Sequence, residues 1–152
     1  MALRQTGGIL EGLEISSSGL SAERIRMNVI SSNLANANTT RTEEGGPYKR
    51  KDVVFSARSS GVSFDNLMRL AFDNNLKAVN VDGIVEDKKP AKMVFNPNHP
   101  DANDQGYVAM PNISVMEEMV NMITANRNFE SDTQAIQATK SMATTAISIG
   151  RS

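Results

Sequence analysis

Two long flanks without proline constrain the fold of this chain more than any other feature. All five prolines lie between residues 39 and 111. In the N-terminal flank, one seven-residue repeat consists of Leu13, Leu20, Met27 and Leu34, and a second consists of Ile9, Ser16, Glu23, Ile30 and Ala37. A period of 3.5 residues is typical of a helix that packs along another helix. The alternative is an ordinary amphipathic helix that faces its own core.

The C-terminal flank predicts a second long helix. Ser114 and Glu117 form a capping-box pattern after Pro111, and Gly150 lies where a helix would end. The seven-residue repeat consists of Val115, Met122, Phe129, Ile136 and Ala143, and Met119 widens it. A helix of about 35 residues is about 50 Å long, which exceeds what a compact domain of this size requires.

The middle of the chain predicts short strands. Alternating and β-branched residues favour strands at 48–55, 80–87, 92–95 and 106–110, with a possible turn at Asp82–Gly83. Residues 64–72 fit a strand or a short helix. The predicted fold is mainly α with a small β-rich insertion, a knob or an extended arm. The expected domains are the N-terminal helix (1–41), the β-rich middle (42–111) and the C-terminal helix (112–152).

Composition argues against several classes of protein. The net charge is −1 and no Gly-rich phosphate-binding motif occurs, so we expect no nucleic acid partner and no cofactor. The stretches KRK at 49–51 and DKK at 87–89 are interpreted as solvated strand edges. There are no cysteines, and we expect neither a cleaved signal peptide nor direct membrane insertion.

Two polar stretches are candidate sites. His99, Asp101 and Asp104 could bind a divalent ion, which would suit a metal-dependent enzyme, but a solvated proline turn is the simpler interpretation.

The stretch NLANANTT begins at Asn33 and contains Asn36. Asparagine tolerates the left-handed conformation that ends a helix, and its amide competes for backbone hydrogen bonds. We interpret this stretch as a joint where the helix stops, with Asn33 and Asn36 at subunit contacts.

Several motifs together resemble the bacterial flagellar rod proteins. Residues 31–39 match the family pattern S-x-N-[LIV]-A-N-x-x-T. In the C-terminal half, P-x-H-P-x-A, G-Y-V-x-x-P-N and E-M-V-x-M-I-x-A-x-R-x-[FY]-E occur in that order, with Phe129 at a position where relatives often have tyrosine. The resemblance covers nearly the whole chain except residues 56–79, and is closest to members that form the proximal rod.

The resemblance implies a structural protein without catalytic or metal sites. It implies that the two helices pair as a coiled-coil-like inner layer of D0 type, in a helical hetero-oligomer that spans the periplasm in the basal body. The implied partners are other rod subunits, the rod-to-ring adaptor and the membrane ring. The family is exported unprocessed by the flagellar type III apparatus. The alternatives are another flagellar axial protein, or a cytosolic coiled-coil adaptor or secretion chaperone.

The predicted subunit interface combines the apolar repeats with the asparagine joint. Its members are Leu13, Leu20, Met27, Ile30, Asn33, Leu34, Asn36, Val115, Met119, Met122, Phe129, Ile136 and Ala143.

Overall fold

The computed structural model describes residues 3–58 and 77–150. Its elements in chain order are α1 (Leu3–Ala35), β1 (Lys51–Arg58), β2 (Ala78–Glu86), β3 (Lys92–Phe95), β4 (Tyr107–Met110) and α2 (Val115–Ile149). The prediction of two long helices with a small β insertion is confirmed. The ambiguous segment 64–72 lies outside the described residues.

The ends of both helices follow the local chemistry of the sequence. The backbone N–H of Glu117 donates to Ser114 Oγ at 3.4 Å, and α2 begins at Val115 as the capping pattern predicts. At the other end, the Gly150 N–H donates to the Ala146 carbonyl at 3.2 Å. α1 ends where the Asn36 side-chain amide donates to the Ser32 carbonyl at 2.9 Å.

The asparagine-rich end of α1 differs from the expectation in one respect. Among the described residues only glycines have a positive φ. Asn36 therefore ends α1 by bonding the carbonyl of the last turn through its side chain, and not by adopting the left-handed conformation.

Four strands form two small sheets. β1 pairs with β2, and β3 pairs with β4 in antiparallel register, with Phe95 opposite Tyr107. The predicted turn at Asp82–Gly83 is wrong, because both residues lie inside the continuous strand β2, which its pairing with β1 holds extended.

The chain divides into two compact units, each containing a part of both helices. One unit comprises the described parts of residues 1–24, 55–82 and 126–152, and the other comprises residues 25–54 and 83–125. The second unit, which we call the joint unit, contains the residues discussed below as the asparagine network. Its buried apolar side chains are Val29, Ile30, Ala37, Val53, Val108 and Ala125.

None of the helices in the described ranges has a stretch that is both apolar and long enough to cross a membrane.

Candidate functional site

Asn33 lies at the centre of a buried polar cluster in the joint unit. We call this cluster the asparagine network; it consists of Asn33, Tyr48, Arg50, the backbone of Lys51 and Glu118. The side chains of Asn33 and Glu118 are the largest fully buried ones among the described residues, each with 1% of its surface exposed. Burying polar groups is unfavourable unless each of them finds a partner.

The amide of Asn33 uses its full hydrogen-bonding capacity within the chain. Its Nδ2 donates to the Lys51 carbonyl at 2.8 Å and to Glu118 Oε2 at 3.1 Å. Its Oδ1 accepts from the Lys51 N–H at 2.9 Å and from the Tyr48 hydroxyl at 3.2 Å. A carboxamide offers two donors and two acceptor sites, so every one of them is satisfied here. The amide thereby pairs with both backbone groups of Lys51 where β1 begins.

The Tyr48 hydroxyl extends the network to the surface of α1. Its oxygen lies 3.1 Å from Ser32 Oγ. Because Tyr48 has one proton and donates it to Asn33, Ser32 is the donor in this second bond. The segment that precedes β1 is thus attached to the last turns of α1 through two successive side chains, Ser32 and Asn33.

Glu118 connects the network to α2 through an ion pair. Arg50 Nε donates to Glu118 Oε1 at 2.9 Å, and Arg50 Nη1 donates to Asp52 Oδ2 at 3.1 Å. Burial by itself would lower the pKa of Arg50, but the hydrogen bonds and charges of Asp52 and Glu118 raise it above its ordinary value. Arg50 therefore stays charged, and it compensates the charge of a carboxylate that water does not reach.

The interpretation of the basic run 49–51 as a solvated edge is wrong for its central residue. Lys49 is exposed and forms an ion pair of 3.4 Å with Glu86, whereas the Arg50 side chain has only 21% of its surface exposed. Consecutive residues of an extended segment point in opposite directions. One of three adjacent basic residues can therefore turn inward, provided that it meets a buried acid.

The predicted interface residues divide into three groups by their exposure in the chain. Ile30 and Asn33 are buried, and Val115 and Met119 are exposed. The others are intermediate: Leu13, Leu20, Met27, Leu34, Asn36, Met122, Phe129, Ile136 and Ala143. At the end of α1 the enclosed side chain is the polar Asn33, while its neighbour Leu34 keeps part of its surface in water.

One face of α2 in the joint unit is apolar and exposed. Met116, Met119, Val120 and Ile123 recur at helical spacing, and between 51% and 75% of each residue is exposed. We call them the α2 stripe. Glu118 and Ala125 lie on the buried side of the same helix. Isolated exposed apolar residues are common, whereas a continuous row on one helix face is typical of a binding surface.

Sequence reasoning missed Glu118, Arg50, Tyr48 and part of the α2 stripe. Glu118 stands beside the capping-box Glu117, and a second acid in the first turn of a helix is explained by the helix dipole alone. The signal that could have identified Glu118 is its place as the first residue of the motif E-M-V-x-M-I. Val120 falls outside the seven-residue repeat, although its spacing from Met116 and Ile123 places it on one face with them.

The other unit, taken by itself, contains a second polar contact between the helices. Asn128 Nδ2 donates to Glu23 Oε1 at 2.9 Å. A Cβ added to Gly19 would lie 2.6 Å from Asp132 Oδ2, so α1 and α2 approach closely at that point. Burial, and after it the charge of Glu23, raises the pKa of Asp132 above its ordinary value.

The candidate metal site around His99 is a turn in this structure. His99 Nδ1 accepts a hydrogen bond from the Asp101 N–H at 3.1 Å, and Asp101 Oδ2 accepts one from the Thr40 hydroxyl at 2.8 Å. Across residues 3–58 and 77–150, the acidic and histidine side chains form no group of three suited to a metal ion. His99 and Asp101 thus serve local hydrogen bonds of the turn and attach it to the segment after α1.

Comparisons with known proteins agree with this architecture. A family model described as "Flagella basal body rod protein" matches residues 13–41, and one described as "Flagellar basal body rod FlgEFG protein C-terminal" matches residues 104–149. The two matched segments contain Asn33 and Glu118, respectively.

Similar curated proteins cover almost the whole chain. A protein of Borreliella burgdorferi is 38% identical over 148 residues, covering 93% of this chain and 97% of the relative. A protein of Bacillus subtilis is 40% identical over 146 residues, covering 91% and 96%. One of Escherichia coli O6:H1 is 33% identical over 143 residues, covering 94% and 98%.

Two long helices flank a small β-rich middle segment, and the similarity to these relatives extends over more than nine-tenths of the chain. These features define a protein of the bacterial flagellar axis. The chain belongs to the family of flagellar basal-body rod proteins. The three relatives described above each bear the name flagellar basal-body rod protein FlgC. The chain is accordingly a structural rod subunit of the flagellar basal body.

Proposed function

We propose that this chain is a subunit of the proximal rod that assembles axially with other rod proteins. In this role it transmits torque as part of the drive shaft and forms part of the wall of the export channel. The α2 stripe is the observation that carries the proposal. It is supported further by two helices of 33 and 35 residues, which provide long surfaces for contacts between neighbours.

The energetics of the α2 stripe favour a partner. Burying an apolar side chain of this size stabilises a contact by about 1.5–3 kcal/mol, and the four residues of the stripe keep more than half of their surface in water. In a helical assembly the same contact recurs at every subunit, so that a modest gain per subunit accumulates along the stack.

The pairing of the helices belongs to the same proposal. In this proposal α1 and α2 form a coiled-coil-like inner layer of the D0 type, with the β-rich middle segment as an arm or knob between them. The half-buried apolar residues on both helices, such as Leu20, Met27 and Ile136, complete their burial against neighbouring subunits. Four methionines on α2 suit such contacts, because an unbranched thioether side chain adapts to slightly different neighbours.

The partners in this proposal are other rod subunits, the rod-to-ring adaptor and the membrane ring. The chain reaches the periplasm-spanning rod through the flagellar type III export apparatus without cleavage of a signal peptide. The predicted interface residues are the candidates for these contacts, and Val115 and Met119 are the members already exposed.

A pair of charge substitutions on α2 tests the proposal. Val120→Asp places a charge in the α2 stripe, whereas Ser131→Asp places the same charge at an exposed polar residue of α2, about two turns beyond the last residue of the stripe. We expect Val120→Asp to abolish swimming and to leave the subunit out of purified basal bodies, because a buried charge is strongly unfavourable. Ser131→Asp should swim in soft agar like the unmodified strain. Normal incorporation of Val120→Asp would refute the proposal that this face is an assembly contact.

A further inference from the structure

The asparagine network is a buried polar contact between α1 and α2 in the joint unit. In the joint unit, Val29 and Ile30 are buried on α1 near Asn33, and Ala125 is buried on the same helix as Glu118. The bond from Asn33 to Glu118 joins residues 85 positions apart and links the two helices directly.

The contacts within each unit define an antiparallel register. In the joint unit, Asn33 meets Glu118, while Ile30, three residues earlier on α1, and Asn121, three residues later on α2, line the same cavity of about 160 Å³. In the other unit, Glu23 bonds Asn128, and four residues earlier Gly19 lies against Asp132, four residues later.

Apolar contacts alone specify this register poorly. Seven-residue repeats match again after a shift of seven residues, so a displaced pairing would bury a similar apolar surface. Such a shift would place Asn33 opposite Ala125 instead of Glu118. The Asn33 amide would then lose an acceptor, and the Glu118 carboxylate would lose both its amide donor and its position beside Arg50.

We propose that Asn33, Glu118 and Arg50 are positioning residues that fix the register of α1 against α2. A single buried polar pair at such a position selects one alignment at a cost in stability. The inference rests on the proposed rod function only for its consequence: a fixed register presents the α2 stripe to neighbouring subunits in one orientation. Leaving a buried polar group unpaired costs about 1–3 kcal/mol, which disfavours the shifted register by about 5- to 150-fold.

Cysteine cross-linking tests this directly, because the chain has no cysteines of its own. The pair Ile30→Cys/Asn121→Cys reports the observed register, and Ile30→Cys/Asn128→Cys reports a shift of seven residues. Both pairs are introduced into the full-length chain, expressed in a flagellated strain that lacks its own copy, and oxidised in cells. Intramolecular disulfides are quantified by peptide mass spectrometry.

Each pair is then combined with two alterations of the network. Arg50→Met/Glu118→Leu replaces the ion pair by apolar groups and leaves the bonds of Asn33 to Lys51 intact. Glu118→Gln removes the charge but keeps a hydrogen-bonding side chain. We expect Arg50→Met/Glu118→Leu to raise the ratio of shifted to native disulfide by about 5- to 150-fold. Glu118→Gln should leave this ratio near its value in the chain with the unmodified network.

Two results would overturn the inference. One is an unchanged disulfide ratio in Arg50→Met/Glu118→Leu. The other is loss of this variant from the cell by degradation, since the network would then be needed for stability and not for alignment. Swimming is scored separately, so that a failure of the rod proposal leaves the disulfide ratio interpretable on its own.

Discussion

Replacing Asn33 by aspartate is the most informative single change, because it preserves shape while removing donors. In the structure, Asn33 Nδ2 donates to the Lys51 carbonyl at 2.8 Å and to Glu118 Oε2 at 3.1 Å. Asn33→Asp would put an acceptor oxygen in the place of that nitrogen, facing two other acceptors. The Lys51 N–H and the Tyr48 hydroxyl would keep their partner, since Oδ1 remains.

The magnitude follows from these contacts. Each buried acceptor that loses its donor costs about 1–3 kcal/mol, and a second carboxylate beside Glu118 adds repulsion that the single Arg50 does not neutralise. A total of about 3–5 kcal/mol is expected. Since about 1.4 kcal/mol corresponds to a factor of ten, the ratio of correctly folded to unfolded subunit falls at least about a hundredfold.

The assay compares three isosteric substitutions in a strain that lacks its own copy. Asn36→Asp removes one amide donor, the one to the Ser32 carbonyl, at a half-buried position. Asn98→Asp changes an exposed turn residue. Swimming diameter and the amount of subunit in purified basal bodies should fall in the order Asn98→Asp, Asn36→Asp, Asn33→Asp, with Asn33→Asp the most severe.

Two outcomes would refute this reasoning. If the three variants behave alike, the burial of Asn33 has no consequence for assembly. If high salt restores Asn33→Asp, the effect is surface electrostatics, because salt screens exposed charges well and buried ones poorly.

Three further predictions concern the helices. Leu34→Asp should abolish swimming while export of the subunit persists. Full burial of a leucine side chain is worth about 1.5–3 kcal/mol, and the half-buried Leu34 would lose its share of that energy on substitution by a charged residue. Normal swimming of this variant would contradict the prediction. Gly12→Ala has open space around the added Cβ and should gain about 0.8–1 kcal/mol of helix stability in thermal unfolding followed by circular dichroism, whereas Gly19→Ala should gain less, since its Cβ would meet the Asp132 carboxylate at 2.6 Å. The raised pKa of Asp132, caused by burial and by Glu23, means that the folded state favours the protonated acid. Its charge therefore destabilises the fold at neutral pH; this penalty begins to decrease as the pH falls through the raised pKa and is gone below the ordinary pKa that the unfolded chain has. Asp132→Asn should raise the melting temperature at neutral pH and lose that advantage in acid; a difference independent of pH would be inconsistent with this assignment.

The long helices could be predicted because their signals are local and repeated. Ser114 and Gly150 mark the two ends of α2 within one turn of each end, and the strand 92–95 was predicted with its observed bounds. The phase of the seven-residue repeat was less informative. Leu13, Leu20 and Met27 of the first repeat are only half-buried, whereas the buried apolar residues among the described side chains of α1 are Ile30 of the second repeat and two residues of neither repeat, Ala22 and Val29.

The asparagine network could be predicted only in part, because its bonds join distant segments. Asn33 and Asn36 stood out by their position at the end of an apolar pattern. Nothing local indicated that Asn33 bonds the backbone of Lys51, since that contact does not depend on which side chain residue 51 carries. The pairing of Arg50 with Glu118 across 68 positions lies equally beyond any periodic pattern.

The spread of the asparagine network along the chain has a consequence for the time at which it forms. Its members come from three places: near residue 33, residues 48–51 and residue 118. A polypeptide that emerges from a ribosome or a narrow conduit, whichever end leads, holds at most two of these places until most of its length is free. The asparagine network therefore cannot close before both Asn33 and Glu118 have emerged. Whichever end leads, the joint unit reaches its folded arrangement only late in the delivery of the chain.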